Sequence, residues 1–139
     1  MQTWWIYALL SAFFASLTAI LAKVGIKGVD SDVATAIRTA VILVIAWGIV
    51  FFKGRLAEVT SVSRHNLIFI ALSGIATGLS WVFYFRALQS GKVSMVAPID
   101  KASLALTILL AAVFLGEALT LKTAMGAGLI LAGTVVLIL

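Results

Sequence analysis

Five runs of about twenty mostly apolar residues, separated by short polar loops, leave this chain one suitable solvent, the hydrocarbon of a bilayer. They fall at 4–24, 33–52, 66–85, 93–115 and 121–139. At roughly 1.5 Å per residue each is close to the length that spans a core about 30 Å thick. Inside lipid the backbone N–H and C=O groups find no water, so each run must close its own hydrogen bonds as a helix. Composition agrees, with 63% hydrophobic and 11% charged residues and a mean hydropathy of +1.22. A soluble domain carries roughly twice that share of charge. The expected fold is therefore an all-α integral membrane protein, one domain over 1–139 with five transmembrane helices. The first run has no basic leader and is too long for a secretory h-region, so it reads as an uncleaved span. Trp4, Trp5 and Tyr7 give it an interfacial belt.

Several function classes fall away at once. The chain has no cysteine and one histidine, His65, which excludes thiolate and multi-histidine metal sites. No serine–histidine or paired-carboxylate arrangement points to an enzyme, and neither a metal nor a cofactor is expected. The formal charge is +5, but the basic residues are scattered over loops and span ends. That suits contact with anionic lipid headgroups and gives no track for nucleic acid.

The informative residues are the polar ones inside spans, because a charge there must face protein or water. In the stretch from Gly91 to Lys122 stand the only proline, Pro98, and the adjacent Asp100 and Lys101. Pro98 has no N–H to donate, so the Ser94 carbonyl loses its usual partner and the helix gains a flexible point. Helical spacing sets Asp100, Ser103 and Thr107 on one face. It aims Lys101 about 100° away, so the adjacent pair cannot be assumed to neutralise itself, and Asp100 could pair with Lys101 or with Arg38. A structural ion pair is the competing reading. Arg38 enters the second span by about 8 Å, close enough for its side chain to snorkel to the headgroups and deep enough to work in a pocket. Trp81, Phe83, Tyr84 and Phe85 read as an aromatic belt. Trp81 lies about a turn deeper and is the candidate pocket wall, with Tyr84 beside it. Gly74 with Gly78, and Ala124, Gly128 and Ala132, are small-residue rows for close helix approach, within one subunit or across a dimer.

Alternate crossing of the membrane makes depths comparable. Arg38 and Asp100 lie roughly 8–10 Å from the same face, and Lys23, Lys101, Trp81 and Tyr84 join that layer. A net positive pocket with aromatic walls favours an anionic group such as a carboxylate. Loop charges are balanced: Lys53, Arg55, Arg64 and Lys122 on the N-terminal side, Lys23, Lys27, Arg86 and Lys92 on the other. With an odd number of spans and no basic bias, insertion in both orientations and an antiparallel homodimer are expected.

The segment VAPIDKASLALTILLAAVFLGEALTLKTAMGAGLILAGTVVLIL resembles the C-terminal signature of EamA domains in the drug/metabolite transporter superfamily. The stretches ATAIRTAV and GLSWVFYFRALQSGKVS are similar to that family's second and third spans. The resemblance covers essentially the whole chain and implies one five-span EamA repeat, where most members have two. It implies a secondary transporter or exporter of small metabolites such as amino acids, assembled as a homodimer in a prokaryotic-type cytoplasmic (inner) membrane. The four-span multidrug-resistance relatives depend on an acid in the first span, and none occurs here between Met1 and Val29. A coupling role would therefore fall to Asp100, with Lys101 and Arg38 as counter-charges. The rival expectation is a non-transporting membrane subunit whose charges only lock helices together.

Overall fold

The structure, a computed structural model, describes residues 3–139. Seven helices follow one another: α1 (Trp4–Gly25), α2 (Ser31–Phe52), α3 (Leu56–Thr60), α4 (Arg64–Ser90), α5 (Val93–Lys101), α6 (Ser103–Leu115) and α7 (Leu121–Ile138). With α5 and α6 taken together, five helical stretches are long and apolar enough to cross a membrane. Nearly all their large apolar side chains face outward. In water that would be ruinous, whereas against lipid tails it costs nothing.

Local chemistry explains the ends. Asp30 caps α2, its Oδ1 accepting from the N–H groups of Asp32 (2.9 Å) and Val33 (3.2 Å). Thr120 caps α7 by accepting from the Thr123 N–H at 3.2 Å. Gly116 closes α6 with φ 68°, a conformation that suits a residue without Cβ. Two details depart from the hydropathy reading. The polar loop after α2 contains the five-residue α3, beside which Arg55 and Glu58 pair at 3.8 Å. And α4 runs on to Ser90, because Arg86, Ala87, Leu88 and Gln89 are strong helix formers and only Gly91 interrupts them.

The chain divides into two compact units, one taking the sequence up to Ile20 with Ser90–Leu139, the other Leu21–Gln89. In the first unit α7 packs on α5 and α6. The covered residues of α7 are Thr123, Ala127, Ile130 and Thr134, a row at helical spacing. Ala124, Gly128 and Ala132 lie on its exposed side, and a Cβ added at Gly128 would meet nothing within 4 Å.

In the second unit the packing gathers at one end. Ala22, Ile26, Ser31, Thr35, Phe85 and Leu88 are buried there, Leu88 completely. Arg86 donates to both carboxylate oxygens of Asp32, at 3.1 and 2.8 Å. Gln89 donates to the Val29 carbonyl at 3.0 Å, and the Lys23 ammonium to the Leu88 carbonyl. At the other end of the same helices Phe51, Phe52, Leu67 and Ile68 are exposed.

Candidate functional site

Arg38 sits about 10 Å from the start of α2. Its guanidinium carbon lies over the Phe85 ring at 4.2 Å from the centroid and over the Trp81 ring at 5.6 Å. Trp81 and Phe85 are four residues apart on α4, so helical geometry presents both rings on one face. The Tyr84 ring meets Phe85 edge to face, centroids 5.7 Å apart. The faces of aromatic rings attract cations, and a guanidinium is the ion most readily laid on them. Rings do not accept N–H bonds as an oxygen does, however. The Arg38 Nη1 is buried and has no hydrogen-bond partner.

Each carboxylate of this unit is engaged elsewhere. Asp32 is held by Arg86, Asp30 caps α2 and Glu58 pairs with Arg55. Hydroxyls in the span are likewise committed, with Thr35 and Thr39 each donating to the carbonyl four residues back at 2.8 Å. Lys23, expected in the same layer, is drawn to the Leu88 carbonyl.

The other polar group lies in the first unit. The fourth span breaks at Ala102, one turn beyond Pro98. Proline deprives the Ser94 carbonyl of its donor. The disturbance then propagates, because the Ala102 N–H bonds the Ile99 carbonyl at 3.0 Å, three residues back, and so leaves the carbonyl of Pro98. Thr134 of α7 reaches that carbonyl with its hydroxyl at 3.3 Å while also bonding Ile130 at 2.8 Å. A buried threonine thus takes up the backbone group that the break releases, as irregular backbone inside a membrane requires.

Asp100 and Lys101 stand at this break, and the Lys101 ammonium pairs with Asp100 Oδ2 at 3.4 Å. Helical phase alone does not keep the two apart. α5 ends at Lys101, and its long side chain folds back on its neighbour. For the same reason the phase carried from Asp100 to Ser103 and Thr107 does not run through one continuous helix. Ser103 opens α6 and is exposed, and its carbonyl accepts from the Thr107 hydroxyl at 2.9 Å.

Of the residues singled out in the sequence, Arg38, Trp81 and Tyr84 thus cluster in the second unit. Pro98, Asp100, Lys101 and Ser103 gather at the break in the first. Phe85 had been assigned only to the belt, and its ring is the nearer of the two under Arg38. Its position four residues after Trp81 was the available signal. Among the described residues no three of His, Cys, Asp and Glu come together as a metal site.

Against this geometry stand the comparisons with known proteins. The sequence model of the EamA-like transporter family matches residues 2–139. The chain belongs to that family. A Sinorhizobium sp. relative described as an uncharacterized transporter in the cobO 3' region is 46% identical over 136 residues, covering 98% of this chain and 96% of the relative. No solved structure matches. Residues 2–139 thus form an EamA domain with five apolar helices among the described residues, and the protein is an integral membrane protein of the drug/metabolite transporter superfamily.

Proposed function

We propose that this EamA protein is a secondary transporter or exporter of small organic solutes, amino-acid-like metabolites among them, and has no enzymatic activity. It works by alternating access as an antiparallel homodimer in a cytoplasmic (inner) membrane. The observation that carries the reading is the interrupted fourth span, with an acid and a base placed where the helix breaks. Discontinuous helices of this kind form substrate and ion sites in transporters, because loosened backbone is tolerated only beside protein or a wet path. In the first unit Asp100 is the coupling or substrate-pairing carboxylate, with Lys101 as its counter-charge. Ser103 lines the path beside the break and Pro98 supplies the flexible point, while in the second unit Trp81 and Tyr84 form an aromatic wall near Arg38. Ala124, Gly128 and Ala132 are left free on α7 for a second copy or for another helix.

Asp100→Asn tests this in proteoliposomes. Gradient-driven uptake of amino acids or other small metabolites should be abolished while the assembly survives in size-exclusion chromatography. Normal uptake by the variant removes Asp100 from the mechanism. Dual insertion has its own test, since the chain has no native cysteine. A single cysteine in the 53–65 loop should label from both faces of the membrane, and labelling from one face refutes the antiparallel dimer.

The Asp100–Lys101 pair favours one rival, a non-transporting subunit in which these charges are structural. That reading predicts that Asp100→Asn lowers stability and that the purified wild-type protein moves no solute.

A further inference from the structure

The strongest unexplained feature is the Arg38 guanidinium. It is an always-charged group with five donors in a planar fork, carried into a membrane-spanning helix. It lies on the Phe85 and Trp81 rings, with a buried Nη1 that bonds nothing. The three acids of its own unit are committed to Arg86, to the α2 cap and to Arg55. Rings balance part of the charge but give Nη1 no acceptor, and a buried donor without an acceptor is a standing cost. A planar oxyanion removes that cost, because its two oxygens match the two parallel N–H bonds of the fork.

We propose that Arg38, seated on Phe85 and Trp81, is the receptor for the carboxylate of the transported solute. This rests on the transporter reading and deepens it, by naming the substrate class as organic carboxylates and by giving Arg38 to the ligand in place of Asp100. Contact with the Phe85 and Trp81 rings steadies the guanidinium before the ligand arrives. A lysine cannot replace it: an ammonium keeps the charge but presents neither the plane nor the paired donors. The covered Nη1 is reached when the rearrangement of alternating access uncovers it, and the arriving carboxylate then closes the fork. A hydrophobic substituent on the ligand is compatible with the rings, whereas a neutral amide of the same shape forfeits the charge-assisted bonds.

The test uses Trp81 itself as reporter. With Trp4, Trp5 and Trp47 replaced by phenylalanine in the full chain, Trp81 fluorescence is titrated with monocarboxylates from acetate to phenylacetate and with the matching amides. Saturable changes are expected with carboxylates, and at least tenfold weaker ones with the amides. Arg38→Lys should weaken carboxylate binding by at least tenfold while retaining wild-type helicity and elution volume. Phe85→Leu, which keeps the charge and most of the bulk, should weaken it by a smaller factor. The proposal is overturned if no carboxylate gives a saturable response, if amides bind as well, or if Arg38→Lys binds normally. Uptake in proteoliposomes separates the two claims. Carboxylates that bind in an Arg38-dependent way without being moved leave the site standing and sink the transporter reading. Asp100-dependent uptake of other solutes, with no carboxylate binding, does the reverse.

Discussion

The two polar intrusions into the membrane differ in how far the chain completes them. At the break in the fourth span the protein supplies partners of its own. Thr134 takes the carbonyl that Ala102 gives up, and Lys101 neutralises Asp100. At Arg38 it stops short, supplying rings that steady a cation and no acceptor for Nη1. A helix interruption is a backbone problem, and one hydroxyl on the packed face of α7 solves it. A stranded guanidinium is a problem that an outside oxyanion can solve. Self-sufficiency in one place and incompleteness in the other set the two regions apart.

That contrast can be broken most forcefully at Phe85. Its ring is 1% exposed and lies beneath Arg38, so Phe85→Ala should cost about 3 kcal/mol by opening a cavity. The denaturation midpoint in mixed detergent measures this, and a cost under about 1 kcal/mol would mean that the packed end of the second unit is not what holds it. A sharper test is Arg38→Met, which removes the charge and keeps the length. If the guanidinium is incomplete without a ligand, stability should hold or rise by about 1 kcal/mol, as when hydrophobes replace buried ions. A fall would show that Arg38 serves the fold. Thr134→Val addresses the other member of the comparison. It should lose roughly 0.6–1.7 kcal/mol, the range of a hydrogen bond between membrane helices, and it should raise backbone amide exchange around Ala102. The smallest change is expected for Asp32→Asn, because the bridge to Arg86 is exposed and water already screens it. Its effect on the midpoint should shrink further as salt is raised.

How much of this was legible beforehand follows from the range of the forces involved. The five spans were plain because hydropathy is a property of each segment alone. The Thr120 cap is equally local, being settled within four residues. Proline announced trouble in the fourth span, but the place where the helix gives way depended on Ala102 choosing the Ile99 carbonyl and on Thr134 standing opposite. That partner lies 36 residues further along and cannot be read from the local pattern. The Asp100–Lys101 pairing stayed open in the sequence because helical phase fixes a Cβ direction, and a four-carbon stem can swing well away from it. Arg38 was visible as an anomaly and Trp81 as a wall, whereas Phe85 was hidden by its membership in an aromatic cluster that suits a membrane border equally well. The short α3 was missed, since five residues carry no usable periodicity.

The second unit is fastened at one end only, where Arg86 grips Asp32, Gln89 reaches Val29, and Lys23 holds the last turn of α4. Arg38, Trp81 and Phe85 sit just inside that fastened end. A separation of the helices at their far ends would displace these three least, so the guanidinium and its rings would keep their arrangement while the exposed tips around Phe52 and Leu67 parted.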